Sequence, residues 1–402
     1  MESAEAPEQV RNRPTILGVM SAGHGVAHLY DQGFPVLMPT IASYFGLSSF
    51  QVSVLLALRF TVFGVVNIGG GLVVDMLKRH WGGMLVGCMV SASLFFALVG
   101  SAPNYLVLLI IVPVVNIPGA LWHLPSAASL SQIFPERRGF ALAIHGFGAN
   151  LGNLIGPLTA AFLLERLGSW RGVMFIYVGP ALIMGVLVWM FLRDVGNIGD
   201  VESRGLRRQM RESAQLLRSP VVLLLVGSAM LRGIGLDALF AWSPFYLEET
   251  LDKSHLDAGF HYALLTGMGI ASTPALGYLS DRFGRKIVLV PGFAIAAVLS
   301  FLTVGAGGGL WLTLVLAGTG LFSFALHQIV QAAVLDEVGR GTEATAVGLI
   351  FGLNGILGAV SPFLAFLVIE NFGGYGSVYY YSGILTLVAG ALIMVAPMRR
   401  RG

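Results

Sequence analysis

Twelve runs of mostly apolar residues, each about 20 residues or longer, leave this chain one way to fold. They fall at 15–43, 50–75, 82–100, 104–133, 140–164, 170–192, 220–247, 258–280, 287–306, 309–336, 342–369 and 375–397. A helix needs roughly 20 such residues to cross a hydrocarbon core of about 30 Å. No run shows the strict alternation of a transmembrane strand. Composition points the same way: of 402 residues, 55% are hydrophobic and 11% charged, with a mean hydropathy of +0.79, which excludes a soluble globular domain. The sequence predicts an all-α membrane protein with 12 transmembrane helices.

The connections set its orientation, because Lys and Arg are retained on the cytoplasmic side during insertion. With both termini cytoplasmic, most of the 24 Lys and Arg residues lie on that side, and only Arg166, Arg171 and Lys253 lie on the other. The net charge of +3 is then an orientation signal, with no basic face of the kind that binds nucleic acid. The single cysteine, Cys88, excludes an intrachain disulfide and a cysteine metal cluster. The polar, acidic N-terminus, MESAEAPEQVRNRP, does not read as a cleavable signal peptide, so the first span is expected to direct insertion. Short loops suit a multi-pass protein of a bacterial inner membrane.

The longest polar connection, 193–219, divides six spans from six. The expected units are a cytoplasmic tail (1–14), a six-helix bundle (15–192), a cytoplasmic linker (193–219), a second bundle (220–397) and a basic tail (398–402). Asp31 and Asp237, Pro39 and Pro244, Asp75 and Asp281, His123 and His327, and Pro157 and Pro362 pair at a separation of about 200 residues, the mark of a duplicated unit. The segment GYLSDRFGRK, Gly277 to Lys286, ends one span and starts the next. A weaker copy, GGLVVDMLKRHWG, carries Asp75 at the matching place in the first half.

That duplicated loop and the twelve spans resemble the major facilitator superfamily over essentially the whole chain. Within it, the chain is most similar to the fosmidomycin-resistance group, through the histidines of the first span, Trp122-His123 and RRGFALAIHGFGANLGNLIGP. Pro125 departs from an acidic residue typical of those relatives. The resemblance implies two pseudo-symmetric six-helix bundles around a central cavity, lined by spans one, four, seven and ten, with alternating access by rocking of the halves. It implies gating by Asp75 and Asp281, which fasten helix ends through arginines, with Arg137, Arg138, Arg282, Arg285 and Arg340 at hand.

Within the spans, His24, His28 and Asp31 stand at i, i+4 and i+7 on one helix face, near mid-membrane. Intramembrane ionisable groups usually face a water-filled cavity. Three readings of the trio stand open: substrate or proton exchange, a metal site, and hydrogen bonding to a neighbouring helix. The first is preferred, and no metal or cofactor site is assigned. His123 and His327 occupy matching places in spans four and ten, with Trp122, Gln328 and Gln331 nearby. Arg59 and Arg232 are basic residues within spans, and a guanidinium keeps its charge and needs an anionic partner. Asp31 and Asp237 are the acids at comparable depth, so the arginines either pair internally or admit an anion. Gly148, Gly152 and Gly156 at every fourth place read as a packing groove.

The expected function is proton-coupled export of a small polar, anionic organic compound by a monomer, whose partners are its substrate, protons or a counter-substrate, and the lipid bilayer. The alternatives are uptake or exchange of organic anions, and efflux of a divalent metal or cationic drug along the His/Asp face. No phosphate-binding GxxxxGK[ST] loop and no HExxH pair is present, and no enzyme activity is expected.

Overall fold

The computed structural model describes residues 12–196, 211, 216, 218–338 and 353–398, apart from the side chains at 68, 71, 72, 75 and 78. The first half contains α1 (Arg13–Phe45), α2 (Ser49–Met76), α3 (Trp81–Gly100), α4 (Tyr105–Ile133), α5 (Arg138–Leu167) and α6 (Trp170–Leu192). The second contains α7 (Pro220–Phe245), α8 (His255–Gly267), α9 (Gly269–Phe283), α10 (Arg285–Gly305), α11 (Leu310–Ser323), α12 (Ala325–Glu337), α13 (Ser361–Asn371) and α14 (Ser377–Val395), with residues 353–358 also helical. This is an all-α membrane architecture of two six-helix bundles.

Local chemistry sets the helix ends. Helix α1 starts with Pro14 in its first turn, where a missing N–H costs nothing, and stops at Gly46 in the left-handed region (φ 62°). Two residues on, Ser48 and Gln51 form a reciprocal capping box that opens α2. In the GYLSDRFGRK loop, Gly284 (φ 103°) turns the chain between α9 and α10.

Three spans expected as single helices are broken. Met268 separates α8 from α9 between two glycines, residues of low helix propensity. Phe324 separates α11 from α12. A turn at Ala359 and Val360 precedes α13, whose second residue, Pro362, favours a helix start.

By hydropathy and length, ten helical segments among the described residues can cross a membrane. The two spans that fall short are α1 and the pair α8 and α9. They are too polar because they carry His24, His28, Asp31 and Gln32, and His261, Tyr262 and Asp281.

The apolar cores show how the halves meet. At the end away from GYLSDRFGRK, one core runs through both, from Tyr30, Leu37 and Leu55 to Trp242, Tyr246 and Tyr262. At the GYLSDRFGRK end each half keeps its own core: Met20, Leu85 and Trp122 in one, Leu225, Phe293 and Leu326 in the other. Hydrogen bonds across the joined end include Ser53 Oγ to the carbonyl of Pro362 (3.0 Å) and Thr266 Oγ1 to that of Asn153 (2.9 Å). Glycines bring the backbones together there: a Cβ on Gly259 would strike Ala161, and Gly64 and Gly355 meet backbone to backbone.

Candidate functional site

The site is built on the contact between α1 and α5, among the most extensive in the molecule. A Cβ on Gly148, Gly152 or Gly156 would run into the backbone of α1 at Ser21, Gly25 and Leu29 respectively. The glycine stripe therefore does what the sequence suggests, and it has a consequence for chemistry. Because the backbones lie so close, His24 Nδ1 reaches the carbonyl of His145 (2.9 Å) and His28 Nδ1 reaches Asn153 Oδ1 (2.8 Å).

Four imidazoles gather at this contact. His24 stacks on His145 with ring centroids 4.0 Å apart, and meets His28 and His123 edge-on at 4.8 Å each. His145 Nε2 is also 3.2 Å from Ser126 Oγ of α4. His145 and Asn153 lie on α5, and the sequence reading places neither in the site. Their signal is their placement beside the glycine stripe.

Beyond His28 and His123 lies a cavity of about 110 Å³, enclosed by α1 to α4 and α6. Its polar wall is His28, Asp31, Arg59, Asn116 and His123, and its apolar wall includes Phe34, Phe63 and Phe96. Arg59 is paired with the Asp31 carboxylate, donates from Nε to Asn116 Oδ1 (3.0 Å) and lies over the Phe34 ring, 5.2 Å from its centroid. The opposed readings of Arg59 are thus joined in one place: it is paired internally, and the pair lines a cavity. Asn116, which the sequence reading misses, both accepts from Arg59 and donates back to its carbonyl (3.1 Å).

The ion pair connects onward. Gln32 Nε2 donates to Asp31 Oδ2 (3.2 Å), and the Tyr262 hydroxyl of α8 lies 3.3 Å from Gln32 Oε1. The cavity's charges are therefore linked by hydrogen bonds to the joined end of the two halves.

The second half is arranged differently. Arg232 of α7 is 3% exposed, its Nε has no hydrogen-bond partner, and no ion pair within 4.0 Å joins it to Asp237 or to any other carboxylate among the described residues. His327 stands on α12, which packs against α7. Asp237 sits beside Gly358 and Phe60 instead. Gln328 is exposed, and Gln331 and His327 are half-buried.

Trp122, expected beside His123 as a binding residue, is placed differently from it. Its ring is fully buried against Gly23 in the contact between α1 and α4, and it does not line the cavity. The reason is rotational: His123, the next residue, is turned toward the cavity, and neighbours in a helix point about 100° apart.

At the GYLSDRFGRK end, Arg285 binds Asp281 (2.6 Å) and Asp336 (3.0 Å), a chain of charges inside the second half. Arg282 is 3.4 Å from the Tyr278 hydroxyl, and Arg137 and Arg138 are exposed. The Asp75 side chain and Arg340 lie outside the described residues.

Comparison with known proteins places this arrangement in context. The profile of the Major Facilitator Superfamily matches residues 20–362 and, overlapping, 264–402. The chain is 26% identical over 366 residues to a probable nitrate/nitrite antiporter, NarK1, of Thermus thermophilus, covering 82% of this chain and 78% of that one. It is 24% identical over 409 residues to a probable sulfoacetate transporter, SauU, of Cupriavidus necator, covering 96% and 94%. In fold it is similar to a bacterial homologue of the human lysosomal transporter Spinster, in an inward-facing, occupied conformation, with a TM-score of 0.74 at 17% identity over 96% of each chain.

Proposed function

Because the chain belongs to the Major Facilitator Superfamily, and is thus a secondary transporter working by alternating access, we propose that its substrate is a small polar anion, moved outward in exchange for protons. The observation that carries this reading is Arg232. A guanidinium keeps its charge in a protein, and leaving one buried without a carboxylate is costly. The natural resolution is an anionic substrate that completes the pair when it binds. The names of the nitrate/nitrite and sulfoacetate relatives support the same charge class. The outward direction rests on the resemblance to the fosmidomycin-resistance group alone.

In this reading the bundles 15–192 and 220–397 rock against each other within one monomer, with the GYLSDRFGRK end in the cytoplasm of a bacterial inner membrane. Among the described residues the core shared by the two halves lies at the opposite end, which supports reading this end as the open one. Closing it brings the substrate held at Arg232 and His327 toward the Asp31 and Arg59 pair. Opening the opposite end must break the hydrogen bond of Tyr262 with Gln32, which touches Asp31 directly. Asp237, which forms no ion pair among the described residues, is the proton carrier. Asp281 and Arg285 set the closing contacts, with Asp75, Arg137, Arg138, Arg282 and Arg340 as their counterparts.

The test is proton flux in sealed proteoliposomes challenged with nitrate, organic carboxylates, sulfonates and cationic drugs. Flux evoked by one anion class in the wild type, and lost in Arg232→Gln, is the expected result. Flux evoked by cations alone would overturn the reading.

A further inference from the structure

We propose that His24, His28 and His123 form a binding site for a borderline divalent transition-metal ion such as Zn²⁺, Co²⁺ or Ni²⁺, within the first bundle. One ring nitrogen from each of the three lies within 4.8 Å of those of the other two. In a tetrahedral complex with metal–nitrogen bonds of about 2.0–2.1 Å, such nitrogens stand roughly 3.4 Å apart. Small side-chain rotations toward a common centre close that difference.

The surrounding hydrogen bonds prepare the rings for a metal. A carbonyl oxygen can only accept, so His24 Nδ1 carries the proton donated to His145, and His28 Nδ1 likewise donates to Asn153 Oδ1. In the neutral imidazole this leaves Nε2 of both rings as a lone-pair donor. His24 Nε2 is buried and has no hydrogen-bond partner. A metal-bound histidine generally anchors its other ring nitrogen in this way, to a carbonyl or to a polar side chain. The pattern appears here on two rings of one helix.

The donor set also selects the ion. Three imidazoles suit zinc, nickel, cobalt and copper, whereas calcium and magnesium require oxygen ligands. The carboxylate of the helix-face trio is not the third ligand, because Asp31 is committed to Arg59. Its place is taken by His123 from α4. His28 and His123 both line the cavity, which leaves a fourth coordination position open to water or to the cavity's occupant. All three ligands belong to one bundle, so binding does not depend on how the two halves are disposed.

The experiment is a titration of the purified protein, without a histidine tag and stripped with a chelator, with Co²⁺ followed by its visible absorption, then displacement by Zn²⁺. The expected result is one Co²⁺ per chain with the intense bands of a four-coordinate site. His24→Ala and His123→Ala each weaken binding at least about 100-fold, and Asn153→Ala, which leaves all three rings in place, weakens it about 10–100-fold. His80→Ala, on an exposed turn, leaves it unchanged. Where an alanine variant fails to fold in the metal-free state, His28→Gln and His123→Gln keep the volume and a hydrogen-bonding end, and are expected to show the same loss. Unaltered Co²⁺ binding in His28→Gln and His123→Gln, or no binding by the wild type at micromolar Co²⁺, overturns the site. The anion reading is untouched by either outcome, since it is measured as flux in the absence of metal.

Discussion

The two halves descend from one pattern and treat charge in opposite ways. In the first, Arg59 comes from α2 to meet Asp31 of α1, Asn116 of α4 holds both the side chain and the backbone of Arg59, and the pair lines a cavity. In the second, Arg232 and Asp237 share α7 and no ion pair joins them. Five residues along a helix is about 140° of rotation, which points the two side chains to different neighbours. The matching aspartates and histidines therefore mark equivalent positions without equivalent roles. The cation stands on α2 in the first half and on α7, the aspartate's own helix, in the second, and that difference sets the balance of charge.

The largest expected effect breaks that asymmetry at its uncompensated end. Arg232→Gln should lower kcat/KM for the anionic substrate by at least about 30-fold, because removing one member of a buried charge pair costs about 2–5 kcal/mol. The same change at Arg59 should act mainly on stability, by leaving Asp31 without its cation, and thermal melting in detergent separates the two outcomes. Next comes Gly152→Leu, whose side chain would enter the backbone of α1 at Gly25. Overpacking of this kind costs about 1–3 kcal/mol. It should lower the melting temperature and, by spreading α1 from α5, also weaken Co²⁺ binding. Gly64→Leu is a control in the contact between halves, expected to perturb transport while sparing Co²⁺ binding.

Smaller effects sharpen the picture. A double-mutant cycle on Asp31→Asn and Arg59→Gln should give a coupling of about 1 kcal/mol, discounted because the Asp31 side chain is 49% exposed. The equivalent cycle on Asp237 and Arg232 should give less, since they form no direct pair. Equal couplings in the two cycles would refute the asymmetry. Ser53→Ala removes a hydrogen bond at the joined end, worth about 1 kcal/mol, and should raise the open population of that end as read by cysteine accessibility.

The smallest effect is on pH. The Glu248 carboxylate, 3.1 Å away, raises the pKa of His255, at the start of α8, above the ordinary value of about 6.5. A histidine raised in the folded state stabilises it fully below the unfolded value and loses that contribution as pH rises through the folded one. Melting temperature should therefore fall slightly with pH above about 6.5, and His255→Gln should flatten the profile. A wild-type profile no steeper than that of the variant would refute the pairing.

Several features were legible in the residues. The glycine stripe of α5 announced a close helix contact, and the pairing of GYLSDRFGRK with its weaker copy announced two halves. The ionisable residues of α1 were visible too, but the sequence reading counted 15–43 as an apolar run, whereas the helix falls below the hydropathy of a membrane span. His24 and His28 meet His123 and His145, which come in from α4 and α5, a grouping their positions in the chain do not announce, while Asp31 pairs with Arg59, the internal pairing that the sequence left open beside an anion site. The break at Phe324 lay beyond the sequence, because apolar periodicity runs straight through it, whereas the glycines on either side of Met268 were a signal the sequence reading did not use.

The sequence by itself determined the twelve spans, their duplication and the family. Those follow from the bilayer, in which every backbone polar group must be satisfied within its own helix, so that a local run of apolar residues settles the local structure. Only the tertiary structure decided which charges are compensated, which histidines share a centre and which end of the molecule is joined. A side chain's angle about its helix is written in its position, but its partner depends on the neighbour's rotation, depth and distance. Those are set by contacts among residues far apart in the chain, here above all by the backbone of α1 lying against Gly148, Gly152 and Gly156.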